Sequence, residues 1–353
     1  FDGTALYEYP AAAVGESEWG SCNFMHSRGE VCSFLQSSAY YWLREFHFDG
    51  LRMDAVGNLI YWQGEANRGE NLAALKFIRT MNQGLKERVP ECLLFAEDST
   101  PYQGVTKAVW EGGLGFDYKW DLGWMHDTLS YFQADANERR EKYHKLTFSM
   151  MYYYNERYIL PLSHDEVVHG KATIAQKMNG GYDGKFPQAR AFYMYMYAHP
   201  GAKLNFMGNE LAQLKEWCEK DELDWILLKF PIHEAFHKFM ADLNKCYLTN
   251  NAFYQRDIRQ DGFEWVDCHQ EQKCMYLFER ISGDQKILAV FNFSDETQEY
   301  TLEKDYAGYE LLLASDMVKY GGKKRYTKKE KEIKGGKAVF KMGPFSARYY
   351  LVK

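Results

Sequence analysis

Apolar positions along this chain follow two regimes. Up to about residue 250, short apolar runs alternate with longer stretches of helical period; beyond it only short runs remain, separated by turn residues. In the first regime, Val31 to Phe46 predicts a helix, with Val31, Phe34, Leu35, Tyr41 and Leu43 as its apolar stripe. Asn71 to Val89 predicts a second, with Leu72, Leu75, Ile78, Met81 and Leu85 on one face and Pro90 as its stop. Pro187 to His199 predicts another with the proline in its first turn, and Ile232 to Tyr247 the last. Strand-like runs end at Asp54, Glu97 and Asp165, and others span Phe116 to Trp120 and Lys203 to Met207. Residues 1 to about 30, beginning with Phe1, show no sustained period and read as an ordered loop. Strands alternating with helices, with long loops after several strands, predict an α/β fold built on a parallel barrel.

In the second regime the runs are Phe263 to Val266, Lys273 to Arg280, Gln285 to Asn292, Glu299 to Leu302, Tyr309 to Leu313, Ala338 to Met342 and Ala347 to Val352. Turn signals such as Ser282-Gly283-Asp284 separate them, which predicts a small all-β antiparallel sandwich. The expected division is therefore 1–250 for the barrel part and 251–353 for the sandwich.

Composition narrows the functional classes. A net charge of −6 argues against a nucleic-acid partner, since phosphate binding needs clustered Lys and Arg. The one basic run, Lys319 to Lys334, is interleaved with Glu330 and Glu332 and reads as an exposed, solvated hairpin. No stretch approaches the apolar length of a membrane span, and no signal peptide is evident. The seven cysteines are scattered and none has CxxC spacing, so reduced thiols in a cytoplasmic protein are expected. Aromatic residues reach 17%; singly each reads as core, although aromatic faces can also stack on sugar rings.

The candidate chemistry lies in the strand ends. Gly50-Leu51-Arg52-Met53-Asp54, Leu93-Leu94-Phe95-Ala96-Glu97 and Leu160-Pro161-Leu162-Ser163-His164-Asp165 each close an apolar run on a carboxylate. Burying such a charge is costly unless it meets water, a partner or a substrate, and parallel strands converge at their carboxyl ends. Two carboxylates flanking a glycosidic bond can act as nucleophile and acid/base, at a spacing of ~5–5.5 Å for retention of configuration. Arg52 shares a strand face with Asp54, and its fixed charge would keep a nucleophilic Asp54 ionised. Each residue also has a plainer reading: Asp54, or Asp98, Ser99 and Thr100 after Glu97, could cap a following helix. His164 and His169 stand five residues apart, the wrong spacing for a one-face HExxH site, so no metal is expected, and no cofactor.

These segments carry a family resemblance. Phe48 to Val56, Ala96-Glu97-Asp98-Ser99-Thr100 and Leu162 to Lys171 (Leu-Ser-His-Asp-Glu-Val-Val-His-Gly-Lys) resemble strand-end motifs of the α-amylase clan, in detail those of the 1,4-α-glucan branching enzymes. Gly112 to Phe116, Tyr118 to Thr128, Phe206 to Glu210, Glu216-Trp217 and Leu223-Asp224-Trp225 match as well. The resemblance implies a (β/α)8 barrel and a transfer reaction that cuts an α-1,4 link and joins the freed glucan to a 6-hydroxyl. It implies Asp54 as nucleophile, Glu97 as general acid/base, Asp165 as the carboxylate that stabilises the transition state, and Arg52 and His164 as substrate-binding companions. Trp120 and Trp124 are candidates for an aromatic lining that orients the acceptor. The expected partner is an α-1,4-glucan such as glycogen or amylose, and the expected state a monomer.

Family members carry a further Asp and His motif at the third barrel strand and usually an amino-terminal β-domain. The chain opens on Phe1-Asp2-Gly3-Thr4 without Met, so the expectation is of barrel strands 4 to 8 from a longer protein. A glucan hydrolase of the same clan and a non-catalytic glucan-binding fragment are the competing readings.

Overall fold

The computed structural model describes residues 2–302, 304, 306–334 and 337–353; Phe1, where the predicted loop begins, lies outside them. The chain divides into two compact units, Phe1–Leu122 with Asn155–Ile159, and Gly123–Tyr154 with Leu160–Lys353. Its first strands are β1 (Gly50–Met53), β2 (Leu93–Ala96), β3 (Tyr118–Trp120), β4 (Tyr158–Leu162) and β5 (Ala202–Asn205), in one sheet ordered β1-β2-β3-β4-β5. β1 pairs with β2, β2 with β3 and β3 with β4 in parallel.

In the first unit, the helices Gly29–Glu45 and Leu72–Arg88 cover a core of Leu43, Ile60, Leu75, Ile78, Leu85, Leu94 and Phe116. Asn71 stands just outside the second helix as its N-cap, accepting from the Ala74 N–H at 3.2 Å. Of the predicted faces, Leu72, Phe34 and Tyr41 are exposed: the core takes only part of each apolar stripe. Gly50 meets β2 so closely that a Cβ there would lie 2.3 Å from the Leu93 carbonyl oxygen, which only glycine allows. The predicted strand Phe116 to Trp120 shortens to β3.

The second unit holds helices Tyr182–Ala198 and Pro231–Thr249. The first is buried on almost every side from Phe186 on, so it starts earlier than the proline suggests: the Lys185 N–H reaches the Gly181 carbonyl, and Pro187 falls in the second turn. Phe186 packs edge-on against His233 and Phe236, drawing this extra turn into the core. The stretch after β3, Leu122–Gln133, is helix, and it carries Trp124, His126 and Asp127.

The remaining strands are β6 (Phe263–Gln270), β7 (Met275–Ser282), β8 (Gln285–Asn292), β9 (Gln298–Leu302), β10 (Gly308–Ala314), β11 (Glu332–Lys334), β12 (Ala338–Met342) and β13 (Ser346–Val352). They form a six-stranded antiparallel sheet, β11-β10-β13-β8-β7-β6, and a two-stranded one, β12-β9. Met275, Leu277, Leu288, Val290, Tyr309, Phe340 and Tyr350 make their core. All seven predicted strands are present; that of Lys273 begins two residues later, because Cys274 takes a left-handed turn (φ 49°).

The basic run departs from the expected hairpin. Val318–Tyr320 is a 3-10 turn anchored by buried Tyr320, Lys328–Lys331 is a short helix, and Glu332–Lys334 pairs with β10. Thr327 and Glu330 form a reciprocal capping box that starts the helix, a signature the charge pattern masked.

Candidate active site

The register of β1 on β2 builds the first cluster. Met53 is the pair partner of Ala96, so the next residue on each strand, Asp54 and Glu97, leaves the sheet side by side. Backbone bonds hold both exits: the Glu97 N–H donates to Met53 and the Val56 N–H to Glu97, at 3.0 and 2.8 Å. Ala55 between them takes a left-handed φ of 44°, a strained value for a residue with a Cβ, and this bends the chain at the exit of β1.

Arg52 joins the two carboxylates. One of its terminal nitrogens donates to Asp54 Oδ1 at 2.7 Å and also to Glu97 Oε2. A single nitrogen bonded to both oxygens holds them no farther apart than the ~5–5.5 Å of a retaining carboxylate pair. The guanidinium carbon stands 4.4 Å from the Trp120 ring centroid, which fixes its plane by a cation–π contact. The Asp54 side chain is 75% exposed and that of Glu97 19%. Burial first, then the hydrogen bond with Asp54 and its charge, push Glu97 up to about 7 against the opposing pull of Arg52. The pair thus divides into an open carboxylate beside a cation and a shielded carboxyl that keeps its proton near neutrality.

A buried pair supports this exit. Asp98 accepts from the Thr100 N–H at 3.0 Å and from the Lys119 ammonium at 2.7 Å, and Lys119 also reaches the Thr100 carbonyl at 3.1 Å. No helix follows β2 directly, so Asp98 closes a turn and ties β2 to β3 instead of capping. The helix after Asp54, Gly57–Ile60, likewise has no side-chain cap. Replacing Lys119 by Met strands a buried carboxylate and is expected to lower unfolding stability by about 3–5 kcal/mol in urea titrations. The double change Asp98→Leu with Lys119→Met is expected to recover most of that loss. On the far side of β3, Glu156 accepts from the Gly104, Val105 and Thr106 N–H groups at 2.7, 2.9 and 2.7 Å and so orders that loop. Nothing in its sequence context marked it.

In the second unit, Ser163 leads from β4 into the 3-10 turn His164–Val167. His164 Nε2 lies 3.4 Å from Asp165 Oδ1, and its ring meets Phe206 and Trp217 at 6.0 and 6.2 Å. Two opposite charges grip the loop behind it. Glu216 accepts from the Gly170 and Ala172 N–H groups at 3.0 and 2.6 Å, which hold its carboxyl below the usual range. The buried Lys177 ammonium donates to the Ala172 carbonyl at 2.7 Å and to that of Glu166. Between these grips, His169, Gly170 and Ala172 all have positive φ.

The structure thus unites Arg52, Asp54, Glu97 and Trp120 in one cluster of the first unit, and His164 with Asp165 in another of the second. Neither tryptophan offers an open face for stacking. Trp120 is 5% exposed with its ring under Arg52, and Trp124 is 1% exposed against His199. Among the described residues no helix is long and apolar enough to cross a membrane.

Comparisons with known proteins accord with these features. A family model described as "Alpha amylase, C-terminal all-beta domain" matches residues 265–353, β6 onward. The 1,4-alpha-glucan branching enzyme GlgB of Fusobacterium nucleatum is 46% identical over 328 residues, 91% of this chain and 53% of that protein. Its namesake from Oceanobacillus iheyensis is 42% identical over 342 residues, with the same coverage of 91% and 53%. The chain therefore spans about half the length of the curated relatives it matches. Among solved structures, the Geobacillus thermoleovorans α-amylase complexed with acarbose aligns at a TM-score of 0.64 with 14% identity, over 95% of this chain and 66% of that one. This likeness bears on the fold: a partial parallel barrel followed by antiparallel sheets.

Proposed function

We propose, from the premise that the chain belongs to the 1,4-α-glucan branching enzymes, that it carries the catalytic part of a glucan transferase that makes α-1,6 branches by double displacement. The observation that supports this best is the single Arg52 nitrogen shared by an open Asp54 and a Glu97 whose carboxyl is pushed up to about 7.

In the first half-reaction Asp54 attacks the anomeric carbon of an α-1,4-linked glucose. Glu97 gives its proton to the departing glycosidic oxygen, and the glucan is left bonded to Asp54. In the second, Glu97, now a carboxylate, takes the proton of an incoming 6-hydroxyl, whose oxygen displaces Asp54. Two inversions restore the α configuration. Arg52, its plane fixed by Trp120, sets a positive charge 2.7 Å from the Asp54 carboxylate oxygen, the arrangement that favours a carboxylate nucleophile. His164 and Asp165 are assigned to ring hydroxyls and to the positive charge that develops on the sugar. The grip of Glu216 and Lys177 on their loop supports a fixed presentation. A cytoplasmic location and a monomeric state belong to the same proposal.

Incubation of the full chain with amylose tests the reading. A branching transferase lowers iodine absorbance while the number of reducing ends stays constant. Reducing ends that rise in step with the loss of colour identify a hydrolase, and unchanged colour with retained amylose identifies a binding fragment.

A further inference from the structure

A cavity of about 420 Å³ in the second unit is walled by Arg190, Lys323, Lys324, Lys341 and Arg348 against one carboxylate, Asp316. Lys324 is already committed to Glu330 at 2.6 Å, whereas Lys323 and Lys341 are exposed and make no ion pair among the described residues. Arg190 and Arg348 are buried, at 2% and 6% exposure.

A buried guanidinium is ordinarily satisfied on all its nitrogens. Arg139, in the same unit, meets that rule: Nε donates to Ala134, one terminal nitrogen to Phe293, and the other to Phe132 and Gln188. Arg190 differs. Its Nε donates to the Ser315 carbonyl at 2.7 Å, while its terminal nitrogens have no protein hydrogen-bond partner among the described residues and are not sealed from solvent, so they are open to a ligand. The nearby Asp316 is engaged elsewhere, accepting from the Tyr326 hydroxyl at 2.6 Å and lying 3.5 Å from Arg348 Nη2. Arg348 donates from Nη2 to the Lys341 carbonyl at 2.9 Å, while its buried Nε is unpartnered. Burial lowers Arg190 only to about 10, so it stays charged at neutral pH.

The wall is rigid. The Lys324 N–H donates to Asp316 at 2.9 Å, the Val318 N–H to Lys324 at 3.1 Å and the Gly322 N–H to Met317 at 3.0 Å. A Cβ at Gly322 would stand 2.1 Å from the Asp316 carbonyl oxygen, so the turn requires glycine. Pro187, Pro344 and Phe345 supply an apolar side to the same cavity.

From these unfilled donors in a preformed pocket, we infer that the cavity binds a phosphorylated small molecule, with its phosphate against Arg190 and Arg348 and its organic part against Pro187, Pro344 and Phe345. Guanidinium forks match phosphate oxygens, and the volume lies in the range of small-molecule sites, larger than a bare phosphate needs. None of these residues belongs to the proposed catalytic set, so this site stands or falls independently of that reading.

Isothermal titration of the full chain with glucose 6-phosphate, inorganic phosphate and glucose tests the inference. The sugar phosphate is expected to bind, inorganic phosphate more weakly, and glucose not to compete. Lys323→Gln with Lys341→Gln, both at exposed positions, is expected to weaken sugar-phosphate binding about tenfold, as is the charge-conserving Arg190→Lys, which loses the fork. Absence of sugar-phosphate binding at millimolar concentration, or affinity unchanged in both variants, overturns the proposal. Inorganic phosphate bound as tightly as the sugar phosphate overturns the organic half of it.

Discussion

Glu97→Gln is expected to lower turnover on amylose by about 10²–10⁴-fold while leaving the chain folded. The carboxyl is pushed up to about 7, so the wild-type first half-reaction should fade as pH rises through neutrality, when the acid loses its proton. In the Gln variant that alkaline limb should vanish, because the residual rate no longer depends on this group. The stability effect has the opposite sign. A carboxyl whose folded value lies above its ordinary 4.5 disfavours folding once ionised, a penalty that grows from about pH 4.5 and is complete above about 7. The Gln variant should therefore be more stable than wild type at pH 8, by up to about 3 kcal/mol, and equal to it at pH 4. Urea unfolding at the two pH values, with kcat/KM profiles, measures both halves. A Gln variant that keeps its alkaline limb would remove Glu97 from the acid role.

Asp54→Ala should abolish transfer more completely, by about 10⁴–10⁶-fold, because it removes the proposed nucleophile. The side chain is 75% exposed, so little packing is lost and the unfolding midpoint should hardly move. Azide added to this variant with an activated glucosyl donor should occupy the vacated space and attack from the side Asp54 used. One displacement then replaces two, and the product is the β-glucosyl azide. The same additive in Glu97→Ala should leave the nucleophile working and yield the α product. The configuration of the azide, read by NMR, therefore distinguishes the two roles, and an α product from the Asp54 variant would refute its assignment.

Much of this site was legible in the sequence. A strand read by its apolar run, with the next residue a carboxylate, located Asp54 and Glu97, and the period-2 rule put Arg52 on the face of Asp54. Those inferences depend on local geometry, which a sequence carries. The supporting residues were less visible. Asp98 looked like a cap because its role depends on Lys119, a strand away, and Glu156 had no pattern at all because its partners are backbone N–H groups some fifty residues upstream. Trp120 and Trp124 looked like platforms because residue type does not say which side of a ring faces protein.

Residue type, order and period were thus enough to determine the alternation of strands and helices, the antiparallel second half and the inventory of reactive groups. Only the folded chain decided what those groups are. Arg52 becomes a bridge because β1 lies in register on β2, and the Glu97 carboxyl is pushed up because it is shielded from water and sits beside Asp54. Arg190, an unremarked position in a helix, comes to line a cavity together with the turn at Gly322, more than a hundred residues away in the chain. Desolvation and the nearness of charges are properties of three-dimensional neighbourhoods, set by residues far apart in the chain, and they assign each group its proton and its partner.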